Sequence, residues 1–303
     1  MDLIHVLFLA ILQGVTELFP VSSLGHTVII PGLLGWNETL QSPTFLPLLV
    51  MLHLGTSVAL LTFFWRDWVQ LLRGGMRTLV AGRFTPDVDP EGYGRQLALV
   101  VVGTIPAGIV GLLLQKPLEA GFSIPILASA FLVANGAVLL AGERLWRRQR
   151  LHEKEIAAKA PMFASVGRSL NEMTFVQAAI IGFAQCFALI PGFSRSGLTM
   201  VTGMANGLSH EAAARFSFLL ATPIILAAGV LEIPKLLAHQ YRAELPIALL
   251  GGVVAGIAAY LSVRFLMKYF ETNRLDPFAY YCVIAGTLTF AFFLLQFLGV
   301  IPA

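Results

Sequence analysis

The sequence predicts an all-α polytopic integral membrane protein: six transmembrane helices plus two re-entrant helical hairpins in an inverted-topology repeat. Three observations predict it. The chain of 303 residues is 57% hydrophobic and only 12% charged, with a mean hydropathy of +0.79, which excludes an ordinary soluble domain. Apolar runs of about 20 residues, the length that crosses a bilayer, recur along it. Two further apolar stretches are interrupted by proline, glycine, hydroxyls and charges that a lipid-facing helix does not tolerate.

The first interrupted stretch, 3–30, carries Gln13, Glu17, Pro20, Ser22, Ser23, Gly25 and His26. It is long enough for two helices, yet its polar turn falls in the middle rather than at a membrane surface. A hairpin entering and leaving by one face is expected. The chain opens Met1-Asp2 without a basic leading region, so this stretch does not read as a cleavable signal peptide. Full-span candidates follow at 46–65, 96–114 and 124–142. The second interrupted stretch, 173–208, carries Pro191, Gly192, Ser194, Arg195, Ser196 and Thr199, and spans at 211–232, 245–263 and 277–298 complete the chain. The expected organisation is a first repeat over 1–142, a basic linker over 143–172 and a second, inverted repeat over 173–303, all in one membrane domain.

Charge asymmetry tests this plan. Segment 66–95 carries five arginines, 143–172 carries seven basic residues and 264–276 carries three. The opposing connections hold only Lys116, Lys235 and Arg242, and 31–45 holds none. Basic segments are cytoplasmic, and they share one side only if both interrupted stretches return to the face they left. Each half is then a hairpin plus three spans, and an odd number of crossings inverts the second half. A faint echo agrees: Gly14, Glu17 and Phe19 match Gly182, Gln185 and Phe187 in spacing, and Pro20 and Ser23 match Pro191 and Ser194.

Both hairpin turns would meet near the midplane and pool their side chains. Gln13 and Glu17, four apart, share a helical face. A carboxylate beside an amide oxygen suits a hard divalent cation; the alternative is a buried glutamate satisfied by backbone. Ser22, Ser23 and His26 offer hydroxyls and an imidazole, which suit nucleophilic and acid–base work, or else polar packing. Ser194, Arg195 and Ser196 follow Pro191-Gly192, as where a loop opens a helix. Helix-start N–H groups, hydroxyls and a guanidinium fork form an oxyanion cradle suggestive of phosphate; Arg195 would also neutralise Glu17. Such a set fits phosphoryl transfer, whose catalysis is mainly positioning and charge stabilisation. His53, within an apolar span, is expected in the core or supporting the site from behind.

These two motifs, in this order, together with Phe216–Pro223 downstream, resemble the undecaprenyl-diphosphate phosphatase, or bacitracin-resistance protein, family over essentially the whole chain. The resemblance implies hydrolysis of undecaprenyl diphosphate to the monophosphate and inorganic phosphate, which recycles the cell-wall carrier lipid. It implies a divalent cation, Mg²⁺ or Ca²⁺, a bacterial plasma-membrane location with the site open to the outer face, and homodimers. Carried over, Gln13 and Glu17 belong to the acidic, metal-binding motif. Glu17, Ser23, His26 and Arg195 are then catalytic, and Ser22, Ser194, Arg195, Ser196 and Thr199 bind phosphate. Many members have Glu where this chain has Gln13, which puts a two-carboxylate metal site in doubt.

The rival is an inverted-repeat transporter or flippase for an anionic or lipid phosphate substrate, with Glu17 and Arg195 lining its path. The hydroxyl and imidazole groups beside those charges are what transport alone does not require. Cys186 and Cys282 lie in apolar stretches without metal-type spacing and read as packing residues. Nothing in the chain suggests nucleic-acid binding.

Overall fold

A computed structural model describes residues 2–121, 124–159, 169–236 and 244–301, and among them the chain forms helices and no β-strand. The helices are α1 (Leu3–Thr16), α2 (Ser23–Leu33), α3 (Asn37–Gln41), α4 (Phe45–Phe63), α5 (Trp65–Ala81), α6 (Tyr93–Gly121), α7 (Pro125–Lys159), α8 (Phe175–Ala184), α9 (Arg195–Ala205), α10 (His210–Leu236), α11 (Leu245–Phe270) and α12 (Asp276–Phe297). Six of them, α4, α6, α7, α10, α11 and α12, are long and apolar enough to cross a membrane, and they coincide with the six predicted spans. Of the α10 span window 61% is buried, against 22% for α6. Hence α10 runs through the middle of the bundle and α6 turns much of its apolar surface outward, as a lipid solvent permits.

One segment departs from the expectation, and a second helix runs on beyond its predicted span. Most of 66–95, read as a basic loop, is the helix α5. Leu71, Gly74 and Thr78 are buried while Leu72, Met76, Leu79 and Val80 are exposed on its other side, and left-handed Gly82 (φ 66°) terminates it. Helix α7 continues past the predicted end at 142 through the basic run to Lys159, because nothing between Gly142 and Pro161 breaks a helix. The remainder of the predicted linker, 160–168, lies outside the described residues.

Polar contacts gather the basic segments at one end of the bundle. Arg147 pairs with Asp276 and Arg215 with Asp67. The Trp146 indole donates to Leu208 O, and Arg95 donates to the carbonyls of Asn171 and Met173. Glu143, fully buried there, lies 2.7 Å from His210 Nε2 and accepts from Arg147 Nε (3.2 Å) and the Leu275 N–H (3.3 Å).

The four helices that are not spans and carry the motifs form two units, α1–turn–α2 and α8–turn–α9. With 14, 11, 10 and 11 residues, each rises only about 15–21 Å at 1.5 Å per residue, short of the ~30 Å of a hydrocarbon core. In each unit the two outer ends lie side by side. His5 stacks on Trp36 with ring centroids 3.9 Å apart, and Gln177 Nε2 donates to Asn206 O at 3.4 Å. The first unit opens beside the starts of α4 and α11, where Val6, Phe45 and Ala248 share one cluster. The second opens at the basic end, where Gln149 donates to Ala205 O.

The units also dock reciprocally. A Cβ on Gly14 of α1 would lie 2.3 Å from Ala255 O of α11, and one on Gly182 of α8 would lie 2.4 Å from Gly103 O of α6. Only a residue without a side chain allows backbone to approach so closely. Glu143→Ala is expected to strand His210, Arg147 and the Leu275 N–H without their shared acceptor. The cost should be about 3–5 kcal/mol, read as a lower thermal-unfolding midpoint of the detergent-solubilised protein.

Candidate active site

Both turns are built as helix N-termini. Ser22 caps α2 by accepting from the Gly25 N–H, and Ser194 caps α9 by accepting from the Gly197 N–H, each at 3.1 Å. The sequence echo aligns Ser23 with Ser194, but the residue equivalent to Ser194 in capping is Ser22, one position earlier. Ser22 stands at φ 70°, the one non-glycine residue with positive φ among the described residues. Its Oγ also accepts from the Gly192 N–H at 3.2 Å, so one hydroxyl caps its own helix and ties down the opposite turn. Gly192 itself has φ 107°, and a Cβ there would lie 2.3 Å from Ala128 O.

Further bonds join the turns. Ser196 Oγ donates to Phe19 O at 3.1 Å, and Ser194 Oγ lies 3.0 Å from Ser196 Oγ. Asn135 of α7, fully buried, donates to Pro20 O (3.1 Å) and accepts from the Ser194 N–H (3.0 Å). Thr199 Oγ1 sits 2.7 Å from Ser217 Oγ of α10. These contacts bring the two predicted motifs together at one point inside the bundle.

A cavity of about 250 Å³ opens there. Glu17, Ser23, His53, Gln185, Ser194 and Arg195 supply its polar lining, and side chains such as Leu46, Val50, Ala107 and Ile224 its apolar walls. Glu17 is the centre of the polar group. Its Oε1 accepts from Arg195 Nη2 at 3.1 Å. Its Oε2 accepts from Ser23 Oγ at 2.5 Å and Gln13 Nε2 at 2.9 Å, and lies 3.3 Å from His53 Nε2. Arg195 is held from behind by Ser217 O at 3.2 Å. A carboxylate 7% exposed in apolar surroundings is retained only with such a set of charged and hydrogen-bonding partners.

Of the residues expected here, Glu17, Ser23, Ser194 and Arg195 reach the cavity. Ser22, Ser196 and Thr199 instead hold the turns in place. His26 does not reach the cavity: its Nδ1 bonds Ser22 O at 2.6 Å and its Nε2 bonds the Tyr281 hydroxyl of α12 at 2.7 Å. His53 is the imidazole that faces Glu17. Sequence reasoning placed it in the core or behind the site, and the one available signal was a histidine in an apolar span. Asn135 and Tyr281 are not among the residues expected here, and Ser217 enters only as part of the Phe216–Pro223 stretch, without a role. Gln185 was noticed only as the echo of Glu17; its Nε2 donates to Gly103 O at 2.7 Å, and its buried Oε1 has no hydrogen-bond partner.

For a divalent cation the donor set is small but suitable. Among the described residues no group of three or more His, Cys, Asp or Glu side chains forms a cage. Glu17 offers a carboxylate, and Gln13 beside it is fully buried with an amide oxygen that has no partner. An ion that uses one or two protein oxygens and completes its shell with water and substrate phosphate fits this arrangement.

The family model described as bacitracin resistance protein BacA matches residues 6–288. The chain belongs to the BacA family. Among its curated relatives, the undecaprenyl-diphosphatase of Acidiphilium cryptum is 49% identical over 294 residues, covering 95% of this chain and 96% of the relative. Undecaprenyl-diphosphatase 2 of Burkholderia lata is 51% identical over 297 residues, covering 98% and 99%. The protein of the same name in Chromobacterium violaceum is 47% identical, covering 96% and 99%. Replacing Asn135 by Ala is expected to leave Pro20 O and the Ser194 N–H unpaired, at about 1–3 kcal/mol for each buried group. Thermal unfolding in detergent reads the loss.

Proposed function

We propose that this protein is a membrane-embedded lipid diphosphate phosphatase. It hydrolyses undecaprenyl diphosphate to undecaprenyl phosphate and inorganic phosphate, and so recycles the cell-wall carrier lipid. The observation that carries this reading is the junction of the two turns. There a carboxylate, a hydroxyl and an arginine meet on one wall of a cavity whose remaining walls are apolar.

In this reading the prenyl chain lies along the apolar walls and the diphosphate at the polar end. Arg195 binds the phosphoryl group being transferred, since its fork matches phosphate oxygens and keeps its charge. Ser194 and the N–H groups of Arg195 and Ser196, which open α9 ahead of the capped Gly197 N–H, complete the cradle. Ser23, held on Glu17 at 2.5 Å, attacks the terminal phosphorus or aligns the water that does, and Glu17 accepts the proton. The bond from phosphorus to the bridging oxygen breaks and the lipid monophosphate leaves; on the serine route water then hydrolyses the phosphoserine, which frees inorganic phosphate and restores Ser23. A trapped phosphoserine separates the two routes. His26, bonded to Ser22 O, acts by positioning the Ser22–Ser23 turn. A divalent cation, Mg²⁺ or Ca²⁺, held by Glu17 and Gln13 would supply charge neutralisation for the diphosphate.

The two motif units are read as re-entrant hairpins of an inverted repeat, 1–142 and 173–303, with 143–172 between them. Short helices, paired outer ends at opposite ends of the bundle and the reciprocal docking of Gly14 and Gly182 support this. With the basic end cytoplasmic in the bacterial inner membrane, the first hairpin enters from the outer face, from which the site receives its substrate. The family resemblance adds a homodimer.

Phosphate release by purified protein from prenyl diphosphates in detergent, where no gradient exists, tests the reading against transport. Chelation should abolish release and added cation restore it. Arg195→Ala should lower kcat by about 10²–10³-fold or more, and Arg195→Lys should recover little of it. Wild-type turnover in Arg195→Ala would falsify the clamp.

A further inference from the structure

We propose that His53 is a nitrogen ligand of the divalent cation at Glu17, which tunes this site toward ions that accept imidazole, such as Mn²⁺ or Co²⁺. The inference rests on the reading of Glu17 and Gln13 as cation ligands.

Three observations lead to it. First, His53 Nδ1 lies 2.7 Å from Leu49 O, one turn back on α4. A carbonyl only accepts, so Nδ1 carries the proton and a neutral ring has its lone pair on Nε2. Fixing one ring nitrogen on a backbone carbonyl is how proteins orient a metal-binding imidazole. Second, that Nε2 faces Glu17 Oε2 at 3.3 Å. Two lone-pair donors repel at this distance unless a proton or a cation lies between them. Donors bonded to one first-row ion at 2.0–2.2 Å sit about 3.0–3.4 Å apart, so the pair has the spacing of two neighbouring ligands. Third, a proton on Nε2 would join His53 to Glu17 but leave the buried oxygen of Gln13 unpaired. The Gln13 amide already touches the same Oε2 through its nitrogen at 2.9 Å. Turned by half a rotation it presents oxygen there, beside the position of a cation bridging Oε2 and Nε2. One carboxylate oxygen, one amide oxygen and one imidazole nitrogen then converge, and substrate phosphate and water fill the remaining positions.

Carboxylate and carbonyl donors alone suit Mg²⁺ and Ca²⁺, whereas an imidazole raises affinity for later first-row ions. His53 also lines the cavity, so an ion held there remains open to the diphosphate.

Mn²⁺ serves as the probe, bound to the purified full-length protein in detergent and followed by pulsed electron paramagnetic resonance. The wild type should show ¹⁴N modulation from a directly bound imidazole, converted to a ¹⁵N signature when the protein is labelled with ¹⁵N-histidine. His26→Gln should keep the signal and His53→Gln should lose it. His53→Gln should also weaken Mn²⁺ binding by about 10–100-fold, the range typical of altered metal surroundings, while Ca²⁺ affinity changes by much less. Mn²⁺ that binds in a Glu17-dependent manner without histidine nitrogen overturns the role of His53 and leaves the Glu17 site standing. Binding that persists unchanged in Glu17→Gln, or no binding by the wild type, overturns both. The isotope comparison uses the wild-type protein, so the result does not depend on any variant folding.

Discussion

The structure depends on the burial of one negative charge. Glu17 lies in a bundle whose surroundings offer almost no dielectric relief, and an isolated carboxylate there would be several kcal/mol unfavourable. Its partners come from three separate places: Arg195 from the opposite turn, His53 from the first span, and Gln13 and Ser23 from its own neighbourhood. Satisfying the charge therefore requires both broken units to be in position at once. The same requirement puts a hydroxyl and a guanidinium on one carboxylate, so the solution to a solvation problem also assembles the groups on which the proposed reaction depends.

Around that centre the hydroxyls divide their work. Ser23 faces the cavity, Ser194 both lines it and caps α9, and Ser22 and Ser196 are spent on joining the turns. A motif rich in serine thus contains side chains of two kinds, and residue type alone does not separate them. The strained backbone at Ser22 is where the division is made. A left-handed residue there turns its own hydroxyl toward Gly192 and leaves the next one free to meet the carboxylate, a use of strain common at functional sites.

Much of this was legible in the chain. Six spans follow from run length, and the meeting of two interrupted stretches follows from the cost of Glu17 and Arg195 in lipid. What stayed hidden has a physical cause in each case. Helix α5 was concealed because arginines spaced along an amphipathic surface helix look like a charged loop when hydropathy is averaged. That His53 rather than His26 lines the cavity was concealed because a histidine's direction is set by partners far along the chain: Tyr281 for one and Glu17 for the other. Asn135 was invisible for the same reason. A lone asparagine in an apolar span declares that it needs partners, but not that they are the backbones of two different turns.

The seating of Gly14 on α11 and of Gly182 on α6 carries a consequence for biosynthesis. The first unit precedes the six spans in the chain order of the described residues, yet the helix that receives it is the fifth of them. Arg195, which pairs with its polar turn, follows the third span, and the backbone on which Gly14 seats comes only with the fifth. The first unit therefore cannot complete its packing until the fifth span is present. Closure of the junction between the turns is therefore a late, non-local event in the life of each molecule.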